Sequence, residues 1–167
     1  MSLVNHTSQV TPAIFRGPRI ETEDDMKLLS HAAIKKIINV ESSLERIFGD
    51  PKAEYNWADK YQIEIIDIPC SVIIPPSFDH SWQVMNLCKA ASEEGPIYIH
   101  CHKGVDRTGF MVALFRMLFQ EWNFKDAVAE MYRMGYHRWY FYWLPYLKCY
   151  EEDLVEIYDE ARAWGGR

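Results

Sequence analysis

The chain has 167 residues, 49% of them hydrophobic and 14% aromatic, which suits one domain with a substantial core. Its formal net charge is -6 and it holds no long Lys/Arg run, which argues against a nucleic-acid binder working through a basic face. Residues 1–12 lack an apolar signal-peptide core, and no run of about 18 apolar residues is present, so no integral membrane segment is expected.

Taken in chain order, residues 1–12 are expected to be a loosely ordered arm of a single domain covering 1–167. Residues 21–33 (ETEDDMKLLSHAA) predict a helix, with acids in the first turn where the dipole favours them. Ile37 to Val40 is a short apolar run and predicts a buried strand. Ser42 to Phe48 predicts a short helix closed by Gly49-Asp50-Pro51. Ile63 to Ile68 predicts a second strand, stopped by Pro69, and Pro75-Pro76 mark a loop. Ser77 is placed to cap a helix running to about Ser92. Residues 93–96 read as a turn, and Ile97-Tyr98-Ile99 as a third buried strand. Helical patterns follow from Arg107 to about Glu121, from Phe124 to Met134 before Gly135, and from Leu144 to Ala163. The aromatic run 138–143 is expected to be a packing seam between the last two helices. Helices alternating with short apolar strands imply an α/β fold with a central, largely parallel sheet flanked by helices. Ligands of such sheets bind beyond the carboxyl ends of the strands.

The segment in that place is His100-Cys101-His102-Lys103-Gly104-Val105-Asp106-Arg107-Thr108-Gly109. It leaves a predicted strand and enters a predicted helix, so its backbone N–H groups, including those at Gly104 and Val105, can form a nest for a tetrahedral dianion. A thiolate at Cys101 would be stabilised at the helix N-terminus and would attack phosphorus. Arg107 offers a planar fork that grips two phosphate oxygens. Thr108 can donate a hydroxyl hydrogen bond to the thiolate. His102 and Lys103 place cationic or cationisable groups at the rim, where a substrate with several phosphates would meet them. Cys70, Cys88 and Cys149 read as inert. The wide cysteine spacing argues against a disulfide framework or a zinc site, so a reducing cytoplasm is expected, with the periplasm or secretion open if a signal was removed.

The pattern H-C-x-x-G-x-x-R-T-G at His100, Cys101, Gly104, Arg107, Thr108 and Gly109 resembles the signature loop of the protein-tyrosine-phosphatase superfamily. The stretches IFRGPRIETEDDMKLLSHAAIKKIINV and AVAEMYRMGYH resemble parts of small bacterial dual-specificity-type phosphatases. The resemblance implies their fold, a phosphocysteine intermediate, and neither metal nor cofactor. It also places Arg16 near the pocket, as a candidate for added charge at the rim.

One position departs from that pattern. The family carries a general-acid Asp on a separate loop; alignment on Ile68-Pro69 puts that position near Val72, and no Asp stands there. Two replacements are open. The form C-x-x-G-x-D-R-T resembles myotubularin- and Sac-type phosphoinositide phosphatases, which implies an acid role for Asp106. Asp79, in the first turn of the next helix, is the other. A third option is that no protein acid acts. Lys27, Lys35, Lys36, Arg133, His137 and Arg138 would add charge only if they reach the rim, and otherwise read as solvated surface.

The expected partner is thus a phosphorylated small molecule, foremost a polyphosphorylated inositol as in the protein-tyrosine-phosphatase-like phytases. A phosphotyrosine or dual-specificity protein phosphatase is the alternative. A phosphate-binding pseudophosphatase is a third reading, favoured by Val72 and opposed by the presence of Cys101 and Arg107. A sulfurtransferase is a fourth, and its loop usually lacks the R-T-G exit.

Overall fold

The computed structural model describes residues 7–47 and 51–150. A five-stranded sheet runs in the order β1-β2-β5-β3-β4. Its strands are β1 (Ser8–Thr11), β2 (Ile14–Gly17), β3 (Lys36–Asn39), β4 (Glu64–Asp67) and β5 (Ile97–His100). Only β1 and β2 pair antiparallel; β2, β5, β3 and β4 are parallel. β5 therefore lies in the middle, and its four residues are all buried. Parallel strands covered on both faces read as apolar runs, which is why Ile37-Ile38 and Ile97-Tyr98-Ile99 stood out in the sequence.

The helices are α1 (Glu23–His31), α2 (Ser43–Ile47), α3 (Pro51–Lys60), α4 (Phe78–Glu94), α5 (Arg107–Phe119) and α6 (Phe124–Arg133). Successive strand side chains feed two cores on opposite faces of the sheet. Ile38, Ile97 and Ile99 join Val84, Met85, Phe110, Met111 and Leu114 in the larger one. Ile37 and Tyr98 join Met26, Leu29 and Ala58 in the smaller one. Each fully buried aliphatic side chain contributes about 1.5–3 kcal/mol. α5 is buried along nearly its whole length, so it cannot be amphipathic. Among the described residues no helix is long and apolar enough to cross a membrane.

Caps account for the helix starts. Thr22 and Asp25 form a capping box at α1, Ser77 accepts from His80 N at α4, and Asn123 accepts from Asp126 N at α6.

Several sequence expectations need correction. Ser8–Thr11, expected within a loose arm, is an edge strand held by β2. α3 was not expected, because Pro51 reads as a stop. It is the first helical residue instead, where its missing N–H costs nothing. The aromatic run is a 3-10 segment, Arg138–Trp143, and only partly a seam. Trp143 is fully buried, whereas Trp139 and Phe141 are 64% and 67% exposed. Residues 144–150 are helical, and the rest of the helix expected to Ala163 lies outside the described residues.

Candidate active site

The chain leaves β5 at His100 and enters α5 at Arg107, so the intervening loop sits at the carboxyl end of the central strand. Three contacts fix that loop. Arg19 N donates to His102 O at 3.2 Å. The buried Arg16 donates from Nη2 to Gly104 O at 2.7 Å. Gly104 itself has φ +71°, and a Cβ there would lie 2.2 Å from the carbonyl carbon and oxygen of Gly17. Only glycine allows both the left-handed turn and this close approach.

Cys101 and Arg107 are buried together against one cavity of about 250 Å³. His102, Lys103 and Asp106 line it from the loop, and Glu45 and Val72 from α2 and the segment after β4. His137, Trp139 and Tyr140 line it from the chain after α6. Asp79 is exposed in the first turn of α4 and does not line it. A neighbouring cavity of about 310 Å³ shares His102, Lys103 and His137, and adds Arg19, Glu21 and Val105.

Two arginines at the site are paired with carboxylates. Arg107 donates to both carboxylate oxygens of Glu45, from Nη2 to Oε1 at 2.9 Å and from Nη1 to Oε2. Burial works against the Arg107 charge, but the Glu45 hydrogen bonds and the neighbouring Cys101 outweigh it, and its pKa is raised. Burial likewise works against the Glu45 charge, and the Arg107 contact wins, so the Glu45 pKa is lowered. Arg16 differs: burial dominates and lowers its pKa, with Cys101 acting in the opposite sense. Arg19 pairs with Glu41, Nε to Oε1 at 3.0 Å and Nη2 to Oε2 at 2.7 Å.

Asp106 holds the N-cap position of α5 yet makes no capping bond to its own helix. Its Oδ1 accepts from His137 N at 2.9 Å, and its Oδ2 meets His137 Nδ1 at 2.8 Å. The Thr108 hydroxyl, expected to reach the thiolate, is buried and has no hydrogen-bond partner among the described residues. Burial pushes the Cys70 thiol up to about 12, and the Cys88 thiol upward as well. All four cysteines are free thiols. Among the described residues no group of three or more His, Cys, Asp or Glu is arranged to hold a metal ion.

Arg16 is thus a prop behind the loop rather than part of its rim. Lys36 pairs with Glu94, and Arg138 lies over Tyr132, 6.0 Å from the ring centroid. Neither lines either cavity beside the loop. Sequence reasoning missed Glu45 and underrated His137. Glu45 carries no motif of its own, and His137 is separated from the loop by α5 and α6.

A buried thiol and a guanidinium six residues apart, between the central parallel strand and the next helix, are the hallmark of the protein-tyrosine-phosphatase fold. Residues 4–136 match the family model described as a DSP-PTPase phosphatase fused to NAD+ kinase, and the chain belongs to that family. It is 24% identical over 128 residues to the dual specificity protein phosphatase TpbA of Pseudomonas aeruginosa, covering 77% of this chain and 54% of TpbA. The chain thus spans about half the length of that curated relative. A cysteine-to-serine form of TpbA in complex with pTyr superposes with a TM-score of 0.63 at 20% identity, over 78% of this chain and 74% of the other. The core catalytic domain of the PP-IP phosphatase SIW14 from S. cerevisiae, in complex with citrate, superposes with a TM-score of 0.70 at 20% identity, over 95% and 93%. These structural likenesses establish the fold.

Proposed function

We propose that the chain is a phosphomonoester phosphatase working through a phosphocysteine intermediate, with polyphosphorylated inositols as its substrate class. The observation that carries the reading is the burial of Cys101 and Arg107 against one cavity whose rim residues, His102 and Lys103, also line a second. One phosphoryl group sits in the loop nest, and further phosphates extend into the neighbouring cavity. The Cys101 thiolate attacks phosphorus, and the S–P bond forms as the P–O bond to the leaving group breaks. Arg107 and the loop N–H groups, including those of Gly104 and Val105, take up the charge on the equatorial oxygens. Water then cleaves the phosphocysteine. The similarity in fold to a PP-IP phosphatase supports this substrate class.

A second reading, a phosphotyrosine or dual-specificity protein phosphatase, is favoured by Trp139 and Tyr140, which give the cavity an aromatic wall. The TpbA relationship supports it too. Turnover of inositol phosphates and phosphotyrosine peptides, compared by kcat/KM, separates the two. Preference for the peptides overturns the inositol reading, and binding without turnover of either leaves a pseudophosphatase.

A further inference from the structure

We propose that His137 is the proton donor to the leaving group, and that Asp106 is the residue that positions it. The inference rests on the phosphatase reading above and concerns the acid, which that reading leaves unassigned. A leaving alkoxide needs a proton in the transition state. Val72, near which the resemblance puts the general-acid Asp, lines the cavity and cannot supply one. Asp106 is badly placed to supply it directly, because its carboxylate already accepts from His137 N and faces His137 Nδ1. Glu45 is engaged by Arg107, and Asp79 is outside the cavity.

His137 has what these lack. It lines the cavity that holds Cys101 and Arg107, and its side chain is 26% exposed. Its Nδ1 is anchored 2.8 Å from Asp106 Oδ2, and its ring is stacked on Trp139 with centroids 4.5 Å apart. Its Nε2 makes no hydrogen bond to any described residue. A carboxylate behind Nδ1 keeps a proton there, so Nε2 is the atom that gives up and regains one. Gly135, with φ +95°, turns the chain after α6, and His137 beyond it meets Asp106 at the N-cap of α5. The unused N-cap role of Asp106 fits the same purpose, since its carboxylate is spent on the imidazole.

The proton balance closes. As Cys101 attacks and the P–O bond breaks, the imidazolium Nε2 proton passes to the leaving oxygen and His137 becomes neutral. In the second step water attacks the phosphocysteine, its proton goes to Nε2, the P–S bond breaks, and thiolate, imidazolium and orthophosphate remain.

The test compares an inositol phosphate with p-nitrophenyl phosphate, whose leaving group needs no proton. His137→Ala should lose about 100-fold or more in kcat on the first and less than about 5-fold on the second, the range for a lost general acid. Added imidazole should restore part of the first loss. Asp106→Asn should show the same dependence on leaving group in weaker form. Equal losses on both substrates with no imidazole rescue overturn the proposal, as does a change confined to KM. A leaving-group-dependent loss in Asp106→Asn with none in His137→Ala would make Asp106 the acid itself. Orthophosphate affinity measured on each variant, with His137→Gln as a second substitution, identifies a collapsed loop. Cys101→Ser is the separate check: turnover surviving there refutes the phosphocysteine reading whatever His137 does.

Discussion

Glu45 occupies the end of the Arg107 fork and leaves its side open. Nη1 and Nη2 each donate to one Glu45 oxygen, and Nε makes no hydrogen bond to any described residue. A guanidinium has five N–H donors, so the Nε–Nη2 edge can still take two phosphate oxygens while the carboxylate holds the other edge. Glu45 therefore orients the clamp without filling it.

Glu45→Ala should cost roughly 10–100-fold in kcat, the order for a misplaced catalytic group, and Glu45→Gln should recover part of it. Arg107→Lys, which keeps the charge but loses the fork, should cost at least ~100-fold. If Glu45→Ala turns over as fast as the parent, Glu45 competes with substrate and does not orient the clamp.

The same pair sets a pH dependence of stability. The Glu45 pKa is lowered in the folded chain from an ordinary value of 4.5. The unfolded chain therefore binds the proton more readily, and the stabilisation is complete above about pH 4.5 and lost as pH falls through the folded value. Melting temperatures of the parent and of Glu45→Gln should differ most near neutrality and converge in acid. A gap that widens on acidification would reverse the sign and exclude this pair as its source.

Gly104→Ala should lower the melting temperature and abolish orthophosphate binding. The new Cβ would meet Gly17 at 2.2 Å and Pro18 N at 2.7 Å, both backbone, at a left-handed φ. The φ alone costs about 1–2 kcal/mol. Gly109→Ala is the contrast, since its Cβ would meet nothing closer than Arg16 Nη2 at 3.4 Å. It should melt at or above the parent. Equal tolerance of both changes would mean that the loop is not held against β2.

What the sequence disclosed and what it hid divide along a physical line. The β5-loop-α5 unit is continuous in the chain, so Cys101, Gly104 and Arg107 can be picked out as candidates from their spacing and its resemblance to a known loop. The central strands are legible because both their faces are buried. β1 is hidden, since a short polar edge strand has no apolar signature, and β2 is hidden because its apolar run is only Ile14 and Phe15. α3 is hidden because the same proline ends one helix or begins another. The pairs Arg107–Glu45 and Asp106–His137 join residues 62 and 31 positions apart, and only the folded sheet brings them together. Arg16, expected as a rim charge, instead turns toward the Gly104 carbonyl behind the loop, a direction that is a property of packing.

Lys103 tests the substrate class. It is exposed and borders both cavities, whereas Arg107 and the loop N–H groups serve the phosphate being cleaved. An aryl monophosphate engages only the latter. Lys103→Ala should therefore lower kcat/KM for inositol hexakisphosphate by about 10-fold or more, near the upper end for a phosphate-pairing cation. On p-nitrophenyl phosphate the loss should stay within about 2-fold. Arg19 also lines the second cavity, but Glu41 already occupies its fork, so Arg19→Ala would disturb the fold as well as the charge. Lys103 has no such partner among the described residues, and its replacement is the cleaner measurement. Salt supplies an internal control. Exposed charges are screened over about 8 Å at physiological ionic strength, so the difference between parent and Lys103→Ala should shrink as salt is raised. Equal losses on both substrates, insensitive to salt, would show that Lys103 shapes the loop, and the preference for polyphosphorylated inositols would give way to the phosphoprotein reading.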